Sequence, residues 1–585
     1  MRNNLLFIFI WLVPFSFLKA QGVYAPGSRE YTRLLQRYEI LNGKNYNDVF
    51  TSFKPYTRKN IIEALEDDSV FTSKSDFFNK QYLLNDSHEW TENEEDSEKT
   101  FLKHFYKKKA NAFYYNEKDV FEIHADPILD LYGGVDYSKT TTNYRSTLSD
   151  DTEKFDRSIY RNTRGVSVRG LIDQKIGFQT TLLENQVRYP FYVDERISED
   201  GVVPGQGFYK RFGENGWDFF TATGYVTFNA TKHLAFQFGH DRNFVGNGYR
   251  SLILSDFSGP YLFLKAETQV WKFKYTNLFA ELTTSRSGIP YPRKYMALHH
   301  LSINIGKKLN VGLFESVIYG REDQGLDIAY LNPIIFYRAI EQNNGSADNA
   351  LLGMDFKYIP VKKLSFYGQL IFDEVVVSNL RAGNGWWANK FGIQGGMKYI
   401  NAFGINNLDI QLEGNLARPF TYTHLSDFTN YQHFQQPLAH PLGANFREAI
   451  INIGYQPLPK LTFNFRQIFY MQGRDIYYRD TVINYGQNIR IPYTSRVKEF
   501  ENYIGQGKMY NVSISNLRIS YMLKHNFFLD FNYTFRFAQY LPNRIDIRIS
   551  DLNLIDPVSL INQQDHSQIL GLGLRWNTDL RNFDF

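Results

Sequence analysis

The segment AFQFGHDRNFVGNGYRSLILSDFSGPYLFLK, from Ala235, gathers residue types that bind sugars. Phe236 and Phe238 alternate with polar neighbours, so Asp241 falls on the inward parity of a strand. Arg242, Asn243, Asn247, Tyr249 and Arg250 follow, with Gly246 and Gly248 among them and the turn Ser258-Gly259-Pro260 beyond. Guanidinium groups pair with carboxylates, Asn and Asp with hydroxyls, and a Tyr ring stacks on a sugar face. Asp241, Arg242, Asn243, Asn247, Tyr249 and Arg250 are therefore candidates for a glycan-binding rim. The same residues have a plainer reading, a folded-in loop whose Asp241–Arg242 pair closes a lumen. Trp386 and Trp387, in NGWWANK, are the other candidates. Adjacent Trp rings either form a sugar-stacking platform or anchor a barrel at the membrane interface.

Catalytic patterns are missing. The chain has no nucleophile-elbow G-x-S-x-G, no H-E-x-x-H and no Walker loop. His299 and His300 are adjacent, so on a strand they point to opposite faces and do not share a metal. With no cysteine, disulfides and thiol nucleophiles are excluded. A net charge of +4 gives no field for nucleic acid. The expectation is a non-enzymatic protein with no cofactor, no metal and no nucleic-acid partner.

The elements that carry these residues are strands. In NFFLDFNYTFRFAQ, from Asn526, the residues Phe527, Leu529, Phe531, Tyr533, Phe535 and Phe537 share one parity. Asp530, Asn532, Thr534 and Arg536 share the other. That alternation is a β-strand with one apolar and one polar face. It fits a soluble sandwich with the apolar face inward, or an outer-membrane barrel with the apolar face on lipid. Aromatic residues make up 17% of the chain, which suits lipid-facing surfaces and girdles, while mean hydropathy stays at −0.41.

From about Val120 a short polar connection, often with Lys, recurs before an apolar alternation. It appears as IDQKIGF, NATKHLAF, KAETQVWKF, IGKKLNVGLF, IPVKKLSF, NAFGINNLDI, QPLPKLTF and LKHNFFL. These eight hairpins supply sixteen strands, and segments from Phe121 and Gln568 raise the total to eighteen, within a range of 16–18. The intervening connections are long. Short turns at one end and long loops at the other are the asymmetry of bacterial outer-membrane barrels, with the short turns periplasmic. Phe527 through Phe537 on the apolar parity are accordingly assigned to lipid. A helical pattern within AYLNPIIFYRAIEQNNGSADNALLGMDFKY, from Ala329, is expected to plug the lumen.

Residues 1–20 read as a secretory signal peptide, with Arg2, an apolar stretch from Leu5 to Leu18 and Ala20 at the cleavage site. Residues 21–110 hold three short helical patterns around Leu34, Ile61 and Leu83, the first two capped by Ser28 and Thr57 and the third starting near Ser75, and together they form a small bundle. An acidic run from Thr91 and Lys107–Lys109 form a solvated linker. Residues 111–585 are the barrel. An even strand number places the helical bundle and both barrel ends on the periplasmic side. The final alternation, Leu570, Leu572, Leu574 and Trp576, leads toward Phe585 and is similar to the signal read by the barrel-assembly machinery.

The motif PYTRKNIIEAL, the block FGHDRNFVGNGYRSLILSDFSGPYL and the region LNP…DNALLGMDFKY together resemble the Wzi family of capsule-assembly outer-membrane proteins. The resemblance spans essentially the whole mature chain. The KAQ junction and the Asn/Tyr/Phe-rich style are similar to Bacteroidetes proteins of the RemB gliding-motility type. The resemblance implies an eighteen-stranded barrel that holds surface or capsular polysaccharide, or serves adhesion and gliding. Partners would be outer-membrane lipid, surface polysaccharide and an envelope protein. A diffusion channel, and a protein-binding component of a gliding or secretion machinery, are the alternatives.

Overall fold

A computed structural model describes residues 22–25, 29–46, 49–65, 70–91, 112–117, 120–143, 150–284, 291–321, 325–345, 347–478, 481–541, 562–578 and 583–585. The signal-peptide stretch, Ser28 and the charge runs after Thr91 lie outside them. Eighteen antiparallel strands close into a barrel. They are β1 Phe121–Asn143, β2 Asp150–Ile172, β3 Ile176–Arg188, β4 Gly216–Asn229, β5 Leu234–Asp241 and β6 Tyr261–Val270. Next come β7 Phe273–Thr283, β8 Arg293–Ile305, β9 Leu309–Tyr319, β10 Asn349–Val361, β11 Leu364–Glu374 and β12 Lys390–Tyr399. The set ends with β13 Leu408–Ala417, β14 Phe446–Leu458, β15 Leu461–Arg474, β16 Lys508–Lys524, β17 Phe527–Leu541 and β18 Asn562–Trp576. β18 pairs with β1, Leu574 opposite Leu131, so no sheet edge is left to hydrocarbon. All eight expected hairpins are present. The first turns at Asp173 and Gln174, both with φ of 50°.

The parity read from β17 holds. Leu529 is 45% exposed, while Asp530 is buried on Arg575 at 3.0 Å and Arg536 donates to Tyr510 Oη at 2.5 Å. The lumen is a core. Phe53, Val245, Leu252, Leu438, Tyr510 and Phe585 belong to one buried apolar cluster that the inward faces of the strands enclose.

Three helices, α1 Arg29–Asn42, α2 Arg58–Ala64 and α3 Lys74–Asp86, precede the barrel. Thr57 caps α2 by accepting from Asn60 N at 3.2 Å. Ser73 caps α3, in a reciprocal capping box with Asp76. α1 stops at Gly43, whose φ of 74° favours glycine. Leu35, Tyr38, Ile61 and Leu83 pack with Ile359 and Ile400, which flank short connections of the barrel. Lys363 N donates to Ile40 O at 3.0 Å, and Asn526 Nδ2 donates to Asp86 Oδ1 at 2.9 Å. The helices thus cap the short-turn end. The segment between α1 and α2 threads inward, where Phe53–Lys54 pairs with Phe244–Val245.

One expectation is corrected. The helix between β9 and β10, Tyr337–Asn343, does not plug the lumen. Its Tyr337 packs on Ala297, Val317 and Tyr319. Those residues are on the parity opposite Met296, Leu298 and Ile318, which face the lumenal core. The helix lies on the outer wall.

Candidate functional site

The segment after β5 turns into the barrel. Gly246 N donates to Ser52 O at 2.6 Å, and Gln369, on β11, holds both Leu252 N at 2.7 Å and Val245 O at 2.9 Å. Asn243, Asn247 and Arg250 are 1%, 3% and 4% exposed, so these residues form an inner constriction and not a rim. Arg242 donates from Nε to Ser258 O at 2.9 Å and also reaches Gly205 O, while Asp241 accepts from Arg242 N at 2.8 Å. The Asp241–Arg242 pair is therefore a local turn contact, and Arg242 ties two backbone stretches together. Tyr249 N and Arg250 N both donate to Glu413, at 2.6 and 3.0 Å. The Arg250 guanidinium meets Glu448 at 3.2 Å and Asp584 at 3.0 Å. Burial works against its charge, but Asp584 and Glu448 more than offset that and hold its proton more tightly than usual. The stretch Leu252-Ile253-Leu254, fully buried, is the sequence signal that this segment is core, because a wet rim has no use for three consecutive large aliphatics.

Two further inward segments were not legible as such. Between β13 and β14 the chain folds back into the lumen, and Tyr422 and Tyr431 donate to Leu252 O and Ile253 O at 2.7 and 2.8 Å. His440 Nε2 lies 2.7 Å from Glu448. Between Pro419 and Phe446 only Asp427 carries a formal charge, a sparsity that marks a buried segment. The second is the C-terminal stretch. The last strand ends at Trp576 and does not run to Phe585. Asp584 instead bridges Arg250 and Arg466, each at 3.0 Å, and Phe585 packs on Tyr192 and Phe257. The expected strand-terminal aromatic of an assembly signal is thus displaced, with Trp576 at the strand end.

Trp386 and Trp387 stand apart from this core, between the short helix Val377–Ala382 and β12 at the long-loop end. Trp387 N donates to Glu499 O at 2.9 Å, Glu501 N to Asn384 O at 2.9 Å and Asn502 N to Gly385 O at 2.8 Å. These bonds lace the 383–389 loop to the 499–502 loop. Gly385 has φ of 67°, and a Cβ there would sit 2.8 Å from Asn502 N, so both conformation and space demand glycine. Trp387 is buried against Tyr493, ring centroids 4.6 Å apart, and Phe420. The Arg496 guanidinium lies 4.3 Å over the Trp387 ring. Trp386, Tyr493 and Arg496 remain partly exposed. Packing against neighbouring loops, and not a lipid girdle, explains the paired Trp. The eight sequence candidates therefore divide between a buried constriction and this aromatic–basic surface.

Among the described residues, one constellation has metal-ligand spacing: His88, Glu89 and His124, with ligand atoms within 4.8 Å of one another. Its groups are already engaged. Arg169 holds Glu89 at 3.3 Å and Glu122 holds His124 at 2.7 Å. The cluster joins the helical cap to β1. His299 and His300 do face opposite ways, His300 meeting Asp355 at 2.6 Å inside.

No protein-family model and no curated protein sequence matches the chain. Among solved structures it is similar to Wzi of Escherichia coli, an outer-membrane protein involved in group 1 capsule assembly and described as a carbohydrate-binding β-barrel. The TM-score is 0.51 at 13% identity, covering 96% of this chain and 100% of that one. The fold is that of an outer-membrane β-barrel. OprD of Pseudomonas aeruginosa matches at a TM-score of 0.37 and 12% identity, over 77% of this chain and 94% of that one. In this barrel no described helix is long and apolar enough to cross a membrane, and the strands cross instead.

Proposed function

We propose that this outer-membrane barrel holds surface polysaccharide on the laced loops that carry Trp386, Tyr493 and Arg496, without catalysis. In this reading the short turns and helical cap face the periplasm and the long loops face outward. The observation that carries it is the aromatic–basic surface itself: a partly exposed Trp and Tyr beside a guanidinium, held by backbone bonds between two loops. Aromatic faces stack on sugar rings and Arg binds acidic sugars in a charge-assisted way. Likeness in fold to a carbohydrate-binding barrel is consistent with it. The diffusion-channel alternative is disfavoured by a lumen occupied by residues 243–260, the 418–445 segment and Asp584–Phe585. Capsule retention, adhesion and gliding are uses such a contact would serve.

The test is the double substitution Trp386→Ala plus Arg496→Ala, with cell-bound polysaccharide and heat-modifiable barrel measured in one strain. Loss of bound polysaccharide at unchanged barrel abundance is expected. Full retention would overturn the reading, and so would steady large conductance of the purified protein in a planar bilayer.

A further inference from the structure

β7, β8 and β9 place three polar side chains side by side on the outer wall. Asn277 is opposite His299, and His299 is opposite Glu315. One step toward the short turns, the same face carries Tyr275, Leu301 and Leu313; one step the other way it carries Phe279, Ala297 and Val317. A carboxylate, an imidazole and an amide thus sit within an apolar band, on a surface that elsewhere exposes Leu313, Ile305 and Leu352. Polar groups directed at acyl chains are costly. Yet Asn277, His299 and Glu315 are 3%, 6% and 5% exposed.

The cover is the chain between β9 and β10. Glu315 accepts from Tyr337 N and Arg338 N, both at 2.8 Å. The Tyr337 ring lies on His299, centroids 3.9 Å apart, and Tyr275 Oη donates to Pro333 O at 2.7 Å. Tyr330 donates to Asp348 at 2.7 Å and fixes the ascending limb. The other side of this cover is apolar: Ile328, Ile334 and Phe336 are 76%, 84% and 75% exposed, with Leu326 and Ile335 beside them. Arg338, exposed on the same surface, pairs with Glu341 at 2.9 Å, so the cation there is not left alone among the apolar residues.

We propose that residues 326–343 are a membrane-inserted flap: Ile328, Ile334 and Phe336 lie among acyl chains of the leaflet on the long-loop side, while Tyr337 seals the Asn277–His299–Glu315 patch. The occupant is lipid because the flap is continuous with the barrel's lipid-facing wall and lies at the level of its apolar rows. A loop extending into water would leave the polar patch on lipid and the large aliphatics in solvent.

The chain has no cysteine, so a single one can report the environment. Phe336→Cys and, as an aqueous reference in a long loop, Tyr477→Cys would be nitroxide-labelled and reconstituted in phosphatidylcholine vesicles. Collision with oxygen and with a water-soluble nickel chelate is then read by EPR. The label at 336 is expected to favour oxygen and exclude nickel, with the reverse at 477. Nickel access at 336 equal to that at 477 would overturn the proposal. So would a label shielded from both reagents and dipolar-coupled to a second label, the sign of a contact between copies. Heat-modifiable migration verifies the barrel, and Ile334→Cys replaces Phe336→Cys if that variant does not fold.

Discussion

At the short-turn end, Arg37 is 2% exposed and reaches Asp76, Asp409, Asn401 and Asn407. At the long-loop end, Arg496 is about one-fifth exposed, lies on the Trp387 ring and pairs with Glu499, which is mostly in solvent. Both arginines join two parts of the chain. The first is enclosed by acceptors, Asp76 among them also capping α3; the second leaves its guanidinium partly in solvent. Buried charge networks of the first kind fix one geometry, because each lost partner strands another. Rings and partly exposed guanidinium groups of the second kind accept new partners at little cost. The two ends thus separate holding the barrel shut from meeting a ligand.

The largest expected effect lies in the first set. Arg37→Ala leaves the buried Asp76 without its cation and Asp409 with Arg33 alone, at 3.3 Å, and loss of one partner of a buried pair costs about 3–5 kcal/mol. A fall of that size in the urea stability of the helical cap, measured in detergent on the full chain, is expected. A change below about 1 kcal/mol, the value of a surface pair, would erase the distinction between the ends.

How much of this was legible follows from the range over which each signal acts. Strand parity is local: Asp530 and Arg536 could be placed inside from their neighbours alone, and the eight short connections counted the strands. Whether a long segment goes inward or outward is set by distant partners. Arg250 needed Glu448 and Asp584, and Tyr422 needed the carbonyl of Leu252, none of which local spacing announces. The charge-poor 419–446 stretch and the Leu252–Leu254 run carried the clue in composition. The 326–343 flap was misplaced because a helix with apolar residues looks the same to sequence whether it faces a lumen or a bilayer. The paired Trp was ambiguous for the same reason, and only the bonds to residues 499–502 decide it.

A second, slightly smaller effect sharpens the comparison across the wall. Phe531→Arg puts a cation on lipid and is expected to cost about 2–4 kcal/mol near the midplane. Parity alone would rate Asn532→Arg as harmless. The lumen says otherwise, because Arg518 donates to Asn532 Oδ1 at 2.9 Å and a second guanidinium would displace it. Both variants should lower the folding midpoint in lipid vesicles, while Phe531→Leu should not. A tolerant Asn532→Arg would mean that the interior of β17 is wet and not packed.

The two ends also differ in the sign of their pH response. Burial raises the Asp86 pKa, but Arg58 first, then His525 and Arg169, outweigh it and bring the carboxyl well below the usual range. Its contribution is full above about pH 4 and is lost as pH falls through the lowered value. Asp475, in the loop after β15, is pushed up to about 6 by burial, against the pull of N–H donors from Asn488 and Tyr485. Its contribution is full below about pH 4 and is lost as pH rises through about 6. Amide protection factors, the rates corrected for the intrinsic pH dependence of exchange, should therefore fall in α3 on strong acidification, and in the 485–488 stretch between pH 5 and pH 7 (roughly the span around that pKa). Asp86→Asn and Asp475→Asn should each flatten only their own trend. A shared trend would mean that one global transition governs both ends.

The smallest expected effect on stability is the most informative about ligand contact. Arg496→Ala removes a cation over Trp387, worth about 0.5–1 kcal/mol at an exposed site, and a surface pair with Glu499 worth about 0–1 kcal/mol. The loops stay joined, because the bonds that lace them run through the backbone of Trp387, Glu501 and Asn502 and do not involve the guanidinium. The unfolding midpoint should hence move by no more than about 2 kcal/mol, the sum of the two contributions. Bound polysaccharide should nevertheless fall, since Arg496 is a partly exposed cation beside Trp386 and Tyr493. Arg496→Lys separates the contributions: an ammonium keeps the charge but loses the planar fork that matches a carboxylate. If Lys restores retention, charge alone suffices. If it does not, the ligand is read bidentately and carries acidic groups. Retention unaffected by either change, with stability also unaffected, would leave the long-loop end no different in kind from ordinary solvated surface and would remove the contrast from which this prediction starts.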